Sequence, residues 1–372
     1  MHISPLDSVH RQRGARLTEF GGWELPLRYG SELAEHEAVR QRAGLFDLSH
    51  MAKFDLVGPG AGAGLDRALT AWHSTMEVGR AAYSLLLAND GGVIDDLIVY
   101  RLAAEHYLVI ANAANHGVDW AELSARLSPY QAALTDLTFD NALIAVQGPV
   151  AVAVMTAAGV GDLSGLRYYA ARPDQLAGGP VLICRTGYTG EDGFEIMVPA
   201  AQAETVWTLL ERAGQDLGLT LCGLACRDTL RLEAGMPLYG HELTRATTPW
   251  EAGLKRYVAL DKDDFVGRTA LADEAEQTPR SHLIGLRGSG RRAARAGYRV
   301  CAADGRPVGG VTSGALSPTL GYPIALAYVT GPKPAPGDQL TVDVRGELLP
   351  VEVTPTPFYR RPRPAAPASS QS

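Results

Sequence analysis

Residues 97–113 are Leu-Ile-Val-Tyr-Arg-Leu-Ala-Ala-Glu-His-Tyr-Leu-Val-Ile-Ala-Asn-Ala, two apolar runs on either side of a short polar stretch at 103–106. β-Branched and aromatic residues are frequent in both runs, and such residues favour strands. The short polar interruption is typical of a hairpin turn. We therefore predict an antiparallel strand pair here, followed by a helix over 115–127.

Two adjacent acids, Asp95 and Asp96, stand between a glycine turn at Gly91-Gly92 and this hairpin. Neighbouring side chains of a strand point to opposite faces, so the two carboxylates cannot face water in the same way. We expect one of them to point into a protected space, where a carboxylate costs several kcal/mol unless a cation or a hydrogen-bond donor meets it. This arrangement indicates that the protected carboxylate has a catalytic or a ligand-binding role. The alternative is a solvated acid pair that caps the turn.

Strand pairs followed by single helices recur along the chain. A second strand–turn–strand is predicted over 180–198, and helices are predicted over 31–43 and 201–214. Repetition of this unit favours an α+β fold with antiparallel sheets over a doubly wound fold.

The segment that follows the helix predicted over 31–43 contains three polar residues of interest. Gly44 is expected at the C′ position of helix 31–43, followed by a strand over 45–51 that carries Asp47, Ser49 and His50. The pair Ser49 and His50 invites a hydrolase interpretation. No Gly-x-Ser-x-Gly motif supports it, and the two side chains of such a strand would point to opposite faces.

Composition divides the chain into a larger and a smaller region. Residues 1–275 are predicted to form two α+β subdomains, whereas 282–361 contain short strands separated by Gly and Pro turns, typical of a small β-barrel. The tail 362–372, rich in Pro, Ala and Ser, is expected to be disordered.

The overall charge and the cysteine spacing narrow the classes of function. A net charge of −7 over 372 residues provides no basic surface for nucleic acid. Cys222 and Cys226 lack a second Cys or His pair, so no metal site is indicated. The N-terminus is not typical of a signal peptide, and no apolar span reaches the roughly 20 residues that cross a membrane, so we expect a cytoplasmic protein.

Three further segments contain side chains suited to a ligand site. Tyr188 and Glu195 are predicted on the two arms of the second hairpin, where they can converge on one ligand. Arg227 and Arg231 are four apart and share a helix face, either as a fork for a planar ligand or in an ion-pair network. The small hydroxyl residues of 313–321 either join a site or satisfy local turn bonds.

Seven segments of the chain together resemble the T-proteins of the glycine cleavage system. They are Phe-Gly-Gly-Trp-Glu-Leu-Pro at 20–26, Gly-Leu-Phe-Asp-Leu-Ser-His-Met at 44–51, Asp95-Asp96, Gln-Gly-Pro at 147–149, Gly-Tyr-Thr-Gly-Glu-Asp-Gly at 187–193, and the stretches 227–235 and 313–321. The likeness runs in order from about residue 5 to residue 361. It implies a cloverleaf of domains around a central folate site, with an all-β domain at the C-terminal end.

The resemblance also implies a set of site residues. The catalytic aspartate of the family falls on Asp96. The folate positions of the family fall on Met51, Tyr83, Tyr100, Asn112, Tyr188, Glu195 and Arg227. A C-terminal arginine belongs to the family's site as well, and among Arg360, Arg361 and Arg363 we favour Arg360. Many members of the family carry tryptophan at the position of Arg256.

The implied reaction is aminomethyl transfer. An aminomethyl group on the dihydrolipoyl arm of a partner H-protein passes its methylene to tetrahydrofolate, with release of ammonia. The alternative is a folate-dependent demethylase of the same fold that acts on a methylated amine or sulfonium. A non-catalytic folate-binding protein of iron–sulfur assembly is disfavoured, since such relatives carry Lys-Gly-Cys-Tyr where this chain has Arg-Thr-Gly-Tyr at 185–188.

Overall fold

The computed structural model describes residues 1–277 and 280–362. All but the first residue of the predicted tail, and Arg363 with it, lie outside the described residues. The strands are β1 (His2–Ile3), β2 (Arg16–Phe20), β3 (Trp23–Arg28), β4 (Ala43–Asp47), β5 (Ala52–Val57), β6 (Ala81–Leu87), β7 (Val93–Ala103), β8 (His106–Ala111), β9 (Ala133–Asp136), β10 (Asn141–Gln147), β11 (Ala171–Leu176), β12 (Gly179–Cys184), β13 (Gly193–Pro199), β14 (Leu219–Leu221), β15 (Ser281–Gly288), β16 (Arg299–Cys301), β17 (Pro307–Leu316), β18 (Pro323–Thr330), β19 (Gln339–Val344) and β20 (Glu347–Thr354). The α-helices are α1 (Asp7–Gln12), α2 (Glu32–Gln41), α3 (Ala61–Ala68), α4 (His116–Leu127), α5 (Ala151–Ala157), α6 (Ala203–Gly214), α7 (Leu224–Glu233) and α8 (Arg268–Ala275).

These strands form three open sheets and one closed barrel. The five-stranded sheet has the order β6-β7-β8-β5-β9, and the six-stranded sheet has the order β11-β12-β13-β10-β4-β14. A small sheet, β1-β3-β2, lies at the N-terminus. The barrel closes in the order β15-β18-β17-β16-β19-β20. No described helix is both long and apolar enough to span a bilayer.

The five-stranded and six-stranded sheets face each other across one buried apolar cluster. Phe46 and Leu182 of the six-stranded sheet belong to the same cluster as Tyr100 and Leu108 of the five-stranded sheet. Helices α3 and α4 pack on the outer face of the five-stranded sheet, and α5 and α6 pack on the outer face of the six-stranded sheet. Polar side chains on the two inner faces are therefore brought to one place between the sheets.

The predicted fold class is confirmed: helices and mainly antiparallel sheets form several domains, and the C-terminal one is an all-antiparallel barrel. Helix α7 joins the barrel to the rest, because Leu232 packs against Ala315, Ile324 and Leu326. The hairpins predicted at 97–113 and 180–198 are present as β7–β8 and β12–β13. The helices predicted over 115–127 and 201–214 are α4 and α6.

Two local predictions near α2 are wrong. Gly44 is not a C′ residue; it lies inside β4, paired with Gln147 of β10 and Thr220 of β14. A Cβ there would be 2.5 Å from Cγ2 of Val39 and 2.7 Å from Sγ of Cys222, so only glycine fits. The predicted strand 45–51 ends at Asp47, since its carboxylate accepts a hydrogen bond from the backbone N–H of Ser49 at 2.8 Å and closes a turn. Ser49 and His50 therefore lie in a buried turn and not on a strand.

Candidate functional site

Alternation along β7 separates the two aspartates, as predicted from the sequence. Asp95 is fully buried and shares a face with Leu97 and Val99, which pack in the core under α4. Asp96 lies on the opposite, inner face with Ile98 and Tyr100, and part of its surface remains accessible. The second aspartate is thus the one that faces the space between the sheets.

Two neutral donors hold the Asp96 carboxyl. The Tyr83 hydroxyl donates to Oδ2 at 2.9 Å, and Nδ2 of Asn112 donates to Oδ1 at 2.9 Å. Burial, followed by the negative charge of Asp95, raises the pKa of Asp96 to about 7. Near neutral pH this carboxyl can therefore accept a proton and release it again, as a general base must.

Asp95 supports Asp96 through Asn112. Its Oδ2 accepts from the backbone N–H of Asn112 at 3.0 Å, and its Oδ1 accepts from Nδ2 of Asn112 at 2.8 Å and from Nδ2 of Asn115 at 2.7 Å. Asn112 directly follows β8, beside β7 in the sheet. The two adjacent acids thus have different roles: Asp96 faces the site, and Asp95 positions Asp96.

A third acid lies beneath this pair. Asp119 of α4 is fully buried, and neither of its carboxyl oxygens receives a hydrogen bond from a donor in the described residues. Asp119 lies near Asp95, and burial together with the charge of Asp95 raises the pKa of Asp119 to about 10. This raised pKa keeps Asp119 protonated at neutral pH.

Asp119→Asn is expected to stabilise the protein more at high pH than at low pH. In the unfolded chain Asp119 ionises near pH 4, whereas the folded protein retains the proton up to about pH 10, so the parent loses stability as pH rises above 4. Asparagine has no such proton linkage. The difference in melting temperature, variant minus parent, should rise by about 2 °C or more between pH 4 and pH 8 in thermal unfolding. The exposed Asp216→Asn is the control, and a pH-independent difference for Asp119→Asn would contradict the assignment.

Glu195 lies on the inner face of the opposite sheet. Its neighbours in register are Ala145 of β10 and Cys184 of β12, both part of the inner cluster. Thr186 donates to its Oε2 at 2.6 Å and also contacts the Tyr100 hydroxyl at 2.8 Å, so a hydrogen-bond chain joins the two sheets. Burial raises the pKa of Glu195, while the Thr186 hydroxyl and the Arg227 charge oppose that shift.

The two arginines of α7 have different environments, although they are one helical turn apart. Arg231 is buried, with its guanidinium 2.8 Å from Asp228 and 2.9 Å from Glu242, so the ion-pair alternative holds for this residue. Arg227 lies over the Tyr188 ring at 4.8 Å and is near Glu195, and no hydrogen bond joins its guanidinium to another described side chain. Burial lowers the pKa of Arg227, which nonetheless remains a cation. Its five N–H donors are thus available to a ligand.

The remaining predicted site residues differ in position and in exposure. The Tyr188 hydroxyl donates to the carbonyl of Pro237, and Tyr188 lies in the loop between β12 and β13 instead of on a strand. Met51 packs against the inner cluster. Arg360 and Arg361 are both exposed, and the guanidinium of Arg361 lies over the Tyr168 ring at 5.8 Å and 3.6 Å from the carboxylate of Asp192.

A cavity of about 610 Å³ opens next to Tyr83. Its size is typical of a small-molecule site. Aromatic side chains supply much of its wall, namely Trp72, Tyr83, Tyr168, Tyr169 and Tyr257. Sequence analysis missed most of this wall, because its members are scattered along the chain and form no motif.

Comparison with known proteins identifies relatives over almost the whole chain. The GCVT N-terminal domain profile matches residues 6–262, and the profile of the Glycine cleavage T-protein C-terminal barrel domain matches residues 282–360. Proteins named Aminomethyltransferase from Saccharopolyspora erythraea and Streptomyces avermitilis are each 53% identical, over 96% of this chain and 98% and 97% of their own lengths. The crystal structure of glycine cleavage system aminomethyltransferase T from Bartonella henselae superimposes with a TM-score of 0.91 at 35% identity, covering 97% of this chain and 98% of that one.

Proposed function

Because this chain belongs to the glycine cleavage T-protein family and is an aminomethyltransferase, we propose that its co-substrate is tetrahydrofolate, bound between Asp96, Glu195 and Arg227. The observation that carries this proposal is the position of Asp96 and Glu195 on the inner faces of two opposed sheets, beside an aromatic cavity.

The polar groups of the site match the edge of a pterin ring. An ionised carboxylate accepts two parallel N–H donors, so Glu195 suits the amino edge of the ring. Arg227 supplies donors to the ring's acceptors, and its stacking on Tyr188 holds the guanidinium plane in place. Tyr100, Asn112 and Met51 complete the surroundings of the ring.

Asp96 acts on the proton that the reaction must remove. Loss of ammonia from the aminomethyl adduct on the dihydrolipoyl arm of an H-protein leaves an electrophilic methylene on the sulfur, which a pterin-ring nitrogen captures. The carbon–sulfur bond then breaks, its electron pair leaves on the sulfur, and the methylene becomes an iminium on the pterin. Closure onto the bridge nitrogen of tetrahydrofolate requires that nitrogen to lose a proton, and Asp96 accepts it or stabilises the cationic precursor. The products are methylene-tetrahydrofolate, ammonia and the reduced lipoyl protein. Alignment of the reactants in a site shielded from water supplies most of the acceleration.

The two regions predicted from the sequence have different roles in this proposal. Residues 1–275 supply the folate site, and the barrel within 282–361 supports it through α7. Arg231 of α7 donates to Ser313 of the barrel at 2.8 Å, and Glu233 accepts from the backbone N–H of Thr319 at 3.0 Å. The hydroxyl-rich segment 313–321 therefore supports α7, which carries Arg227. Between Arg360 and Arg361, the latter has more support, because it lies over Tyr168, which lines the cavity.

A reconstituted reaction tests this function. Lipoylated H-protein charged with the aminomethyl group is mixed with tetrahydrofolate, with and without this chain, and methylene-tetrahydrofolate and ammonia are measured. We expect both products to form together, and much faster when the chain is present. Demethylation of a methylated amine or sulfonium, with no acceleration from charged H-protein, would favour the alternative enzyme. The H-protein partner and the cytoplasmic location stay predictions from the family and the sequence.

Glu195→Ala is expected to weaken tetrahydrofolate binding by roughly 1–3 kcal/mol, or about 5- to 150-fold in Kd. Removal of the carboxylate leaves the donors of the pterin edge unpaired in a buried site. Isothermal titration of parent and variant measures the change. Glu204→Ala, an exposed glutamate on α6, is the matched control and should leave the Kd unchanged. Equal affinity of parent and Glu195→Ala would reduce Glu195 to a structural residue of the hairpin.

A further inference from the structure

Thr186 lies between the two opposed sheets, two residues after the end of β12. Its side chain is buried, as are those of Tyr100 on β7 and Glu195 on β13. The Thr186 hydroxyl donates to Oε2 of Glu195 at 2.6 Å and lies 2.8 Å from the Tyr100 hydroxyl. A hydroxyl has one proton to donate, and an ionised carboxylate can only accept. The Thr186 proton is therefore committed to Glu195, and Tyr100 donates to Thr186.

The backbone of Thr186 is fixed independently of this hydroxyl. Nε2 of Gln147 donates to the Thr186 carbonyl at 3.0 Å, and Oε1 of Gln147 accepts from the Thr189 hydroxyl at 2.9 Å. A Cβ at Gly187 would lie 2.0 Å from Oε1 of Gln147, so the glycine allows this amide to approach the chain. Loss of the hydroxyl alone should therefore leave residue 186 in place.

The hydrogen bond from Thr186 acts against the effect of burial on Glu195. Burial raises the pKa of Glu195, and the Thr186 hydroxyl opposes this shift more than the nearby charge of Arg227 does. Tyr100 and Cys184 beside Glu195 stay neutral, because burial raises the pKa of each well above its usual range. An ionised Glu195 presents acceptors only, whereas a protonated one would present a donor and an acceptor.

We propose that Thr186 is a specificity-determining residue that acts through Glu195, keeping this carboxylate an acceptor so that the site selects the amino edge of the pterin. The inference rests on the proposed function, since it needs the pterin edge at Glu195. That edge presents two parallel N–H donors, and an ionised carboxylate accepts both. A protonated Glu195 would place its O–H against one of these donors. It would instead suit an edge on which an oxo group replaces the amino group, because the oxo group accepts that proton.

Isothermal titration with two ligands tests this inference, namely tetrahydrofolate and its analogue in which an oxo group replaces the amino group of the pterin. Thr186→Val should weaken tetrahydrofolate binding about ten-fold, the lower end of what a hydrogen bond to a charged group contributes. It should change the Kd of the oxo analogue less than two-fold. Thr186→Ser keeps the hydroxyl and should bind both ligands as the parent does. Thr186→Ala, which places no methyl group beside Glu195, should repeat the result of the valine variant.

A double-mutant cycle separates this role from a packing role. In the Glu195→Gln background, where the side chain cannot ionise, Thr186→Val should change the tetrahydrofolate Kd less than two-fold. The control is Thr156→Val on α5, an exposed residue whose hydroxyl donates within its own helix to the carbonyl of Val152 at 2.9 Å. It should leave the Kd of both ligands unchanged.

Two results would overturn the role of Thr186 and leave the folate site intact. One is equal weakening of both ligands by Thr186→Val, and the other is the same weakening of tetrahydrofolate binding with and without Glu195→Gln. Failure of the parent to bind tetrahydrofolate would instead contradict the proposed function itself.

Discussion

Asp96→Asn is expected to lower the rate of aminomethyl transfer by about 10²–10⁴-fold, the usual contribution of a positioned general base. Asparagine has the same shape, and its amide oxygen still accepts from Nδ2 of Asn112, which lies 2.9 Å from Oδ1 in the parent. Its amide nitrogen meets the Tyr83 hydroxyl, which can accept as well as donate. The local structure should therefore persist, and tetrahydrofolate affinity should stay within a few-fold of the parent value.

The pH profile distinguishes loss of a base from loss of structure. Because burial and the charge of Asp95 raise the pKa of Asp96 to about 7, the parent should lose kcat as pH falls below 7, where the carboxyl takes up a proton. The Asn variant should lack this limb. Asp140→Asn, an exposed aspartate, is the control and should keep both the parent rate and its profile. Activity of Asp96→Asn close to that of the parent would remove Asp96 from the mechanism.

Glu233→Ala is expected to lower the free energy of unfolding by about 3–5 kcal/mol. It removes one of the two carboxylates that pair with the buried Arg40, the other being Glu191, and leaves the buried donors of Ser317 and Thr319 without their acceptor. Glu233 is fully buried at the end of α7, and its Oε2 accepts from Nη2 of Arg40 at 2.8 Å and from Thr319 Oγ1 at 2.7 Å. Its Oε1 accepts from the backbone N–H of Thr319 and the hydroxyl of Ser317. One carboxylate thus binds α2 and the barrel to the helix that carries Arg227.

Urea denaturation of parent and Glu233→Ala measures the loss. Glu211→Ala removes another Glu–Arg pair, with Arg13 at 2.9 Å, but this pair is largely exposed and should cost less than about 1 kcal/mol. Hydrogen bonds and nearby cations hold the pKa of Glu233 down at about 2, against a burial effect that would raise it. The stabilisation by Glu233 is therefore complete above about pH 4.5 and decreases as pH falls toward 2. A loss no larger than that of Glu211→Ala would show that α7 does not depend on this cluster.

Patterns with short repeats were sufficient to predict the main elements from the sequence. The apolar runs of 97–113 specified the hairpin β7–β8, and Ser31 at the start of α2 accepts from the backbone N–H of Ala34 as an N-cap should. The alternation that puts Asp95 and Asp96 on opposite faces is a property of any strand, so it held here as well. The motifs around Asp96 and Arg227 were sufficient to identify the family.

The predictions that were wrong or left open concern positions where contacts between distant parts of the chain decide the structure. Gly44 matched a helix C-cap locally, but the close approach of Val39 and Cys222 required a glycine inside β4 instead. Arg227 and Arg231 share a helix face in the sequence pattern. Only the contacts of Arg231 with the barrel residue Ser313 and with Glu242 show that it is a structural cation, and Arg227 makes neither contact.

The sequence by itself thus determined two hairpins, helices α2, α4 and α6, the barrel and the family, because periodicity and capping act between residues close along the chain. Only the tertiary structure decided that Glu195 faces the space that Asp96 faces, that Asp119 is buried near Asp95, and that tyrosines far apart in the chain line one cavity. The physical reason is that burial and the packing of two sheets face to face set these relations. Neither can be inferred from local spacing.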